Sequence, residues 1–116
     1  MRILGIDPGT AIVGFSVIEV DSGNQAKLLE YGCIRTKANQ KNHLRLNQIA
    51  KDLETILAQW KPNIAAVEKL YFQTNVKTAM SVSEARGVIM HKISEKGLEI
   101  AEYTPLEIKS AITGYG

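Results

Sequence analysis

Two short, almost wholly apolar segments constrain the fold of this chain most, because each ends abruptly at a carboxylate. Residues 2–6 are followed by Asp7 and a Pro-Gly turn signal, and residues 64–67 are followed by Glu68. Apolar residues at successive positions, with no polar alternation, are typical of strands that are buried on both faces. Because such strands need other elements packed on them, the sequence predicts an α/β fold with helices against a sheet.

Three further strands are predicted from composition and turn signals. Residues 13–20 are rich in β-branched and aromatic side chains, which favour a strand. The turn Asp21-Ser22-Gly23-Asn24 follows, so a strand at about 27–36 should return as its hairpin partner. Residues 98–103 are predicted as the fifth strand. The short connections among the first three strands favour antiparallel pairing.

Three helices are predicted between and after these strands. The first has an apolar stripe at helical spacing and ends at Lys61-Pro62, and its stripe comprises Leu46, Ile49, Ala50, Leu53, Ile56, Leu57 and Trp60. The second covers about 76–96 and ends at Gly97. The segment Thr104-Pro105-Leu106-Glu107 is a capping box that opens a third helix. The resulting order, βββαβαβα, predicts a five-stranded mixed sheet flanked by helices.

Composition favours one soluble domain over residues 1–116. The chain is 45% hydrophobic and 22% charged, and no apolar run approaches the roughly 18 residues of a membrane span. Its one cysteine, Cys33, excludes an internal disulfide and a zinc site built from several cysteines. We expect Cys33 to be a small buried side chain in mid-strand, and the protein to be cytoplasmic.

Basic residues are concentrated in one part of the chain, although the net charge is only +2. The segment 35–51 contains no acidic residue, and its basic residues are Arg35, Lys37, Lys41, Arg45 and Lys51. A solvated loop and helix face explains such a segment more often than a nucleic-acid site does, so the segment alone is interpreted as solvated surface.

Asp7 and Glu68 are the candidate catalytic residues, because each is the first carboxylate after a buried strand. If the two strands are parallel neighbours, both carboxylates lie at the edge of the sheet where ligands bind in such folds. Two adjacent carboxylates repel each other and favour a hard divalent cation such as Mg²⁺ or Mn²⁺. The alternative is structural, since an Asp before Pro-Gly is also a common turn residue.

The segment Gly5-Ile6-Asp7-Pro8-Gly9-Thr10 is more specific than a lone carboxylate, but it does not select one reaction. Gly9 permits a tight turn, and Gly14 allows the next strand to approach closely. Similar short motifs occur in the phosphate loops of actin-like and sugar-kinase ATPases. An ATPase fragment therefore remains an alternative at this point.

Several motifs taken together resemble the RuvC family of Holliday-junction resolvases. They are Gly5-Ile6-Asp7-Pro8-Gly9-Thr10, Gly32-Cys33-Ile34-Arg35-Thr36, Val67-Glu68-Lys69-Leu70-Tyr71-Phe72 with Asn75, Ala85-Arg86-Gly87 and Gly114-Tyr115-Gly116. The resemblance implies a ribonuclease-H-like fold and a homodimeric, Mg²⁺-dependent endonuclease, with Mn²⁺ as a substitute and two ions per complete site. It also implies cleavage of four-way DNA junctions in recombination and repair, in partnership with a branch-migration motor complex.

The resemblance also implies roles for individual residues. Asp7 and Glu68 match metal-binding catalytic acids, Tyr71 matches an aromatic that stacks on a base, and Lys109 matches a residue at the DNA backbone. Beside these, Asn75 is a candidate for base contacts, and Lys69, Lys77 and Arg86 are candidates for phosphate contacts or ordinary surface charges.

The resemblance implies that the family's last acids lie on a helix beyond Gly116, so we expect this chain to be C-terminally truncated and to cut very slowly or not at all. A fragment that binds junctions without cutting them is therefore a further alternative. A ribonuclease-H-like nuclease acting on RNA explains the segment from Glu68 to Asn75 less well.

Overall fold

The sheet has five strands in the spatial order β3-β2-β1-β4-β5. The structure, a computed structural model, describes residues 1–9, 11–69 and 76–104. Its elements are β1 (Arg2–Asp7), β2 (Ile12–Val20), β3 (Ala26–Arg35), α1 (Asn42–Trp60), β4 (Ile64–Glu68), α2 (Val76–Glu95) and β5 (Glu99–Tyr103). The predicted α/β class and the order βββαβαβ are confirmed, while the predicted third helix beyond Thr104 lies outside the described residues.

Strand directions divide the sheet into an antiparallel and a parallel half. β2 pairs antiparallel with both β1 and β3, whereas β4 pairs parallel with β1, and β5 with β4. The short turns of the first three strands permit only the antiparallel arrangement, and the helices provide the crossovers that parallel strands need. Consequently the carboxyl ends of β1, β3, β4 and β5 all lie at the same edge of the sheet, which we call the carboxyl edge.

One face of the sheet carries the core. Side chains that alternate along β1 and β4, including Leu4, Ile6, Ala65 and Val67, are at most 4% exposed. They form one cluster with buried residues of the two helices, namely Ile49, Leu53, Ile56, Leu57, Ala85, Ile89 and Ile93. The apolar stripe predicted for α1 and the buried residues of α2 therefore pack on this face.

The helices end where the sequence predicts. Lys61, immediately before Pro62, adopts a left-handed conformation with φ of 46°, which stops α1. Gly97 follows α2 with φ of +77°. In the described part of the chain, neither helix is long and apolar enough to span a membrane.

The opposite face of the sheet, which we call the open face, carries small side chains in its centre. Gly5, Ser16 and Ala66 occupy neighbouring positions on β1, β2 and β4. Cys33 also lies on this face and is exposed, so the prediction that it is buried was wrong. Ile34, which is 3% exposed, takes the inward position, and strand alternation then directs Cys33 outward.

The turn between β1 and β2 depends on Gly9. A Cβ atom built on Gly9 would lie 2.1 Å from the carbonyl oxygen of Ile12, far inside van der Waals contact. Only a residue without a side chain fits this path, so Gly9 brings β2 back against β1 directly after Asp7.

We expect Gly9→Ala to lower the free energy of unfolding by about 1–3 kcal/mol, because the backbone must shift to admit the methyl group. Gly87→Ala is the matched control, since Gly87 is exposed on α2 with no atom within 4 Å of an added Cβ. That change should raise stability by about 0.5–1 kcal/mol through helix propensity. Chemical denaturation of both variants measures the two effects, and equal stability of Gly9→Ala and the wild type would contradict this account of the turn.

Candidate active site at the carboxyl edge

Parallel pairing of β1 with β4 brings Asp7 and Glu68 together. The register places Ile6 beside Val67, so the next residue of each strand, Asp7 or Glu68, emerges at the same level of the carboxyl edge. Ile6 and Val67 face the core, and alternation therefore directs both carboxyl groups to the open face. The two carboxyl groups are close enough to share a side-chain hydrogen bond.

The proximity of Asp7 changes the acidity of Glu68. The pKa of Glu68 is raised from 4.5 to about 6, first by the hydrogen bond with Asp7, then by partial burial and by the negative charge of Asp7. All three effects favour the protonated form of Glu68. Near neutral pH Glu68 is nevertheless mostly ionised, which places negative charge where β4 ends beside β1.

A cleft of about 420 Å³ opens beside the two acids. Its lining combines backbone and small side chains with the two carboxyl groups, and comprises Gly5, Ile6, Asp7, Gly14, Phe15, Ser16, Ala66, Glu68 and Tyr103. An added Cβ on Gly5 would lie 2.9 Å from the hydroxyl oxygen of Ser16, and one on Gly14 would lie 3.6 Å from Cβ of Asp7. The absence of side chains at Gly5 and Gly14 therefore leaves the space beside the two carboxyl groups open.

The acid pair fits a hydrated divalent cation. Mg²⁺ is commonly held by one or two carboxylates, with water and substrate phosphates completing its shell. The negative charge of Asp7 is the smallest of the three effects that raise the pKa of Glu68, and a bound cation would offset it. Within residues 1–9, 11–69 and 76–104, no cluster of three or more His, Cys, Asp and Glu side chains could hold a metal. Within the described residues, the candidate metal ligands at this cleft are Asp7 and Glu68.

Tyr103 belongs to this site, although it was not among the predicted site residues. It is the last residue of β5, pairs with Glu68 and lines the cleft with 38% of its surface exposed. The rule that selected the acids, position at the carboxyl end of a strand, could also have selected Tyr103. It was missed because only carboxylates were considered there.

The structure describes three of the six predicted DNA-contact residues. Lys69 follows Glu68 directly and is half-buried, and its backbone N–H donates to the carbonyl oxygen of Tyr103 at 2.5 Å. Arg86 donates to Glu102 at 2.6 Å, which joins α2 to β5 and lowers the pKa of the Glu102 carboxyl. Lys77 is in the first turn of α2. The remaining candidates, Tyr71, Asn75 and Lys109, lie outside the described residues.

Comparison with known families gives a match across almost the whole chain. The family model for crossover junction endodeoxyribonuclease RuvC matches residues 3–116. The RuvC protein of Heliobacterium modesticaldum is 49% identical over 116 residues, which are 100% of this chain and 71% of that protein. That of Caldicellulosiruptor saccharolyticus is 44% identical, again over 100% of this chain and 70% of that protein.

A solved structure agrees in fold. Thermus thermophilus RuvC, in complex with a Holliday junction substrate, superimposes with a TM-score of 0.89 at 27% identity. The superposition covers 96% of this chain and 70% of that one. The similarity therefore extends over the sheet, both helices and the edge that carries Asp7 and Glu68.

The raised pKa of Glu68 predicts that divalent-metal affinity depends on pH. A bound cation must displace the proton on Glu68, so affinity should rise as that proton is lost. With a pKa of about 6, the apparent dissociation constant for Mn²⁺ or Mg²⁺ should be about tenfold weaker at pH 5 than at pH 7. Isothermal titration calorimetry at several pH values measures this, and equal affinity at pH 5 and pH 7 would contradict it.

Matched variants isolate the effect of Glu68. Glu68→Gln should weaken metal binding and flatten its pH dependence, whereas Glu99→Gln, an exposed acid at the opposite end of β5, should change neither. In the metal-free protein, the raised pKa stabilises the fold below pH 4.5, and this contribution is lost as pH rises through about 6. Glu68→Gln should therefore gain stability relative to the wild type at pH 7 but not at pH 4.

Proposed function

Because the chain belongs to the RuvC family of crossover junction endodeoxyribonucleases, we propose that it uses Asp7 and Glu68 to hydrolyse phosphodiester bonds of four-way DNA junctions. Members of this family are divalent-metal-dependent nucleases. The observation that carries the proposal is the pair of neighbouring acids at the ends of adjacent parallel strands, beside an open cleft. The ATPase alternative relied on the segment 5–10 alone, whereas the family match extends from residue 3 to residue 116.

Asp7 and Glu68 would hold Mg²⁺, for which Mn²⁺ can substitute. When bound, two such cations activate a water molecule and stabilise the leaving oxygen in phosphodiester hydrolysis. Asp7 and Glu68 would both serve as ligands of these ions. The protein's own contribution is to position these groups, since β1 and β4 fix both carboxyl groups. Because Gly5 has no side chain, the cleft beside them would admit the DNA backbone.

The other site residues of the proposal hold and orient DNA. Tyr71 would stack on an unpaired base at the junction centre, with Asn75 available for base contacts. Lys69, Lys77, Arg86 and Lys109 would contact phosphates. Arg86 would do so with the donors that its ion pair with Glu102 leaves available, so its effect should be weaker than that of an unpaired arginine.

Twofold symmetry suits the substrate, so the proposal includes a homodimer. A symmetric pair of active sites can cut two equivalent strands of a four-way junction. Met80, 63% exposed on α2, offers apolar surface for such an interface. Light scattering should give twice the mass of the chain, and a strictly monomeric mass at cleavage-competent concentrations would contradict a dimer. The proposal also includes a branch-migration motor as partner and a cytoplasmic site of action on chromosomal DNA.

In a longer chain that carries the family's last acids, we expect Asp7→Asn to abolish metal-dependent cleavage while leaving junction binding intact or tighter. The substitution removes a metal ligand, and it also removes a negative charge that repels phosphates. The assay incubates a labelled four-way junction with protein and Mg²⁺ or Mn²⁺ and follows symmetric nicks. Binding is measured separately in EDTA by fluorescence anisotropy.

Glu99→Gln is the control, because it removes one negative charge from the same sheet at the start of β5, away from the acid pair. It should cut like the wild type. Cleavage by Asp7→Asn at the wild-type rate would refute the assignment of Asp7. Wild-type binding of the junction without nicks in either metal would favour the alternative of a junction-binding protein that does not cut.

A further inference from the structure

The basic segment that begins at Arg35 lies at the same edge of the sheet as the acid pair. β3 runs parallel to β1, because each of them is antiparallel to β2. Its last residue, Arg35, therefore lies at the carboxyl edge, and so does the loop 36–41 that leads from β3 into α1. The charge pattern alone indicates solvated surface, because the sequence does not show where β3 ends relative to Asp7.

Arg35 also shares the face of the acids. Ile34 is buried in the core, so Arg35 projects from the open face, where it pairs across the strands with Ile12. Cys33 on β3 lies level with Asp7, across β2, and Arg35 is two residues beyond Cys33 toward the carboxyl edge. Strand spacing and rise put its Cα roughly 12 Å from that of Asp7. B-DNA covers this distance along its axis in about three to four nucleotides.

The loop that follows Arg35 is held in place. The Thr36 N–H donates to the carbonyl oxygen of Ala11 at 3.0 Å, and the Arg45 Nε donates to the Thr36 hydroxyl oxygen at 3.0 Å. A turn closes the loop through the Gln40 N–H and the Lys37 carbonyl oxygen, 3.2 Å apart. The loop and the first turns of α1 are therefore fixed relative to each other and to the turn beside Asp7.

The charges of this surface are not used within the described structure. Arg35, Lys37 and Lys41 are exposed and form no ion pair with any acid among the described residues. By contrast, Arg2, Arg86 and Lys92 are paired with glutamates. Glu84 is the acid that reaches this end of α1, where it accepts a hydrogen bond from Asn42 at 3.2 Å.

The start of α1 is an unfavourable place for these cations. Lys41 occupies the N-cap position without a side-chain cap, and the first turn contains no acid. The N-terminus of a helix carries partial positive charge, so basic residues there lower the stability of the helix and acidic residues raise it. An anion bound at this position would remove that cost, and DNA phosphates are anions that reach the neighbouring cleft.

We propose that Arg35, Lys37, Lys41 and Arg45 form a basic surface that binds phosphates of the DNA arm leading into the cleft. The inference relies on the proposed function, because the same DNA must reach Asp7 and Glu68. Arg35 would contact the strand that enters the active site, and Lys37 and Lys41 would contact the duplex further from it. Arg45 would hold the loop through Thr36 as well as adding charge.

The test is the salt dependence of junction binding in EDTA, with a double variant Lys37→Gln/Lys41→Gln. A plot of log K against log salt has a negative slope, and each lost phosphate contact makes that slope less steep by about 0.9. The slope of the double variant should therefore be less steep than that of the wild type by about 1.8. At 100 mM salt this corresponds to affinity weaker by roughly fivefold to tenfold for each contact. Lys37→Arg/Lys41→Arg should restore both slope and affinity, because only charge is required.

The control variant is Lys27→Gln/Lys51→Gln, which removes the same charge at exposed positions away from the carboxyl edge, at the start of β3 and midway along α1. Its slope should remain close to that of the wild type. Equal slopes for the two double variants would overturn the basic surface while leaving the proposed function intact. If the wild-type protein bound the junction no better than it binds an equally long duplex, the proposed function would fail, and the basic surface with it.

Discussion

The parallel pairing of β1 with β4 is the constraint on which the site depends. It sets two carboxylates side by side at one edge of the sheet, where they share a hydrogen bond and raise the pKa of Glu68 to about 6. A protein interior would not keep two such groups together without a counter-charge. The small residues of the open face and the tight turn at Gly9 complete the site, because they leave the acids accessible to a cation and to a polymer.

Much of this arrangement could be predicted because it follows from local patterns. Unbroken apolar segments identify β1 and β4, and the helical spacing of Ile49, Leu53 and Ile56 identifies the face of α1 that packs on them. The rule that ligands bind at the carboxyl ends of parallel strands then selects Asp7 and Glu68. Each step needs only a few neighbouring residues and a topology that short turns restrict to few possibilities.

The remaining features depend on strand parity and on long-range position, which local patterns do not determine. Cys33 is exposed because Ile34 takes the inward position, and either residue is apolar enough to be buried. Arg86 is paired with Glu102, sixteen residues further along the chain, through the packing of α2 on β5. The place of Arg35 beside the acids follows from two successive antiparallel pairings, so it requires the assembled sheet.

The carboxyl edge thus has two features that lower the stability of the fold, one from negative charges and one from positive charges. Ionised Asp7 and Glu68 repel each other, while Lys41 lies at the positive end of α1. Among the described residues Lys41 forms no ion pair, and the acid near it, Glu84, accepts a hydrogen bond from Asn42, whereas Lys92 pairs with Glu54. A divalent cation would neutralise the first feature and a phosphate backbone the second. The fold therefore gives up stability at an edge where binding of a cation and of phosphates would return it.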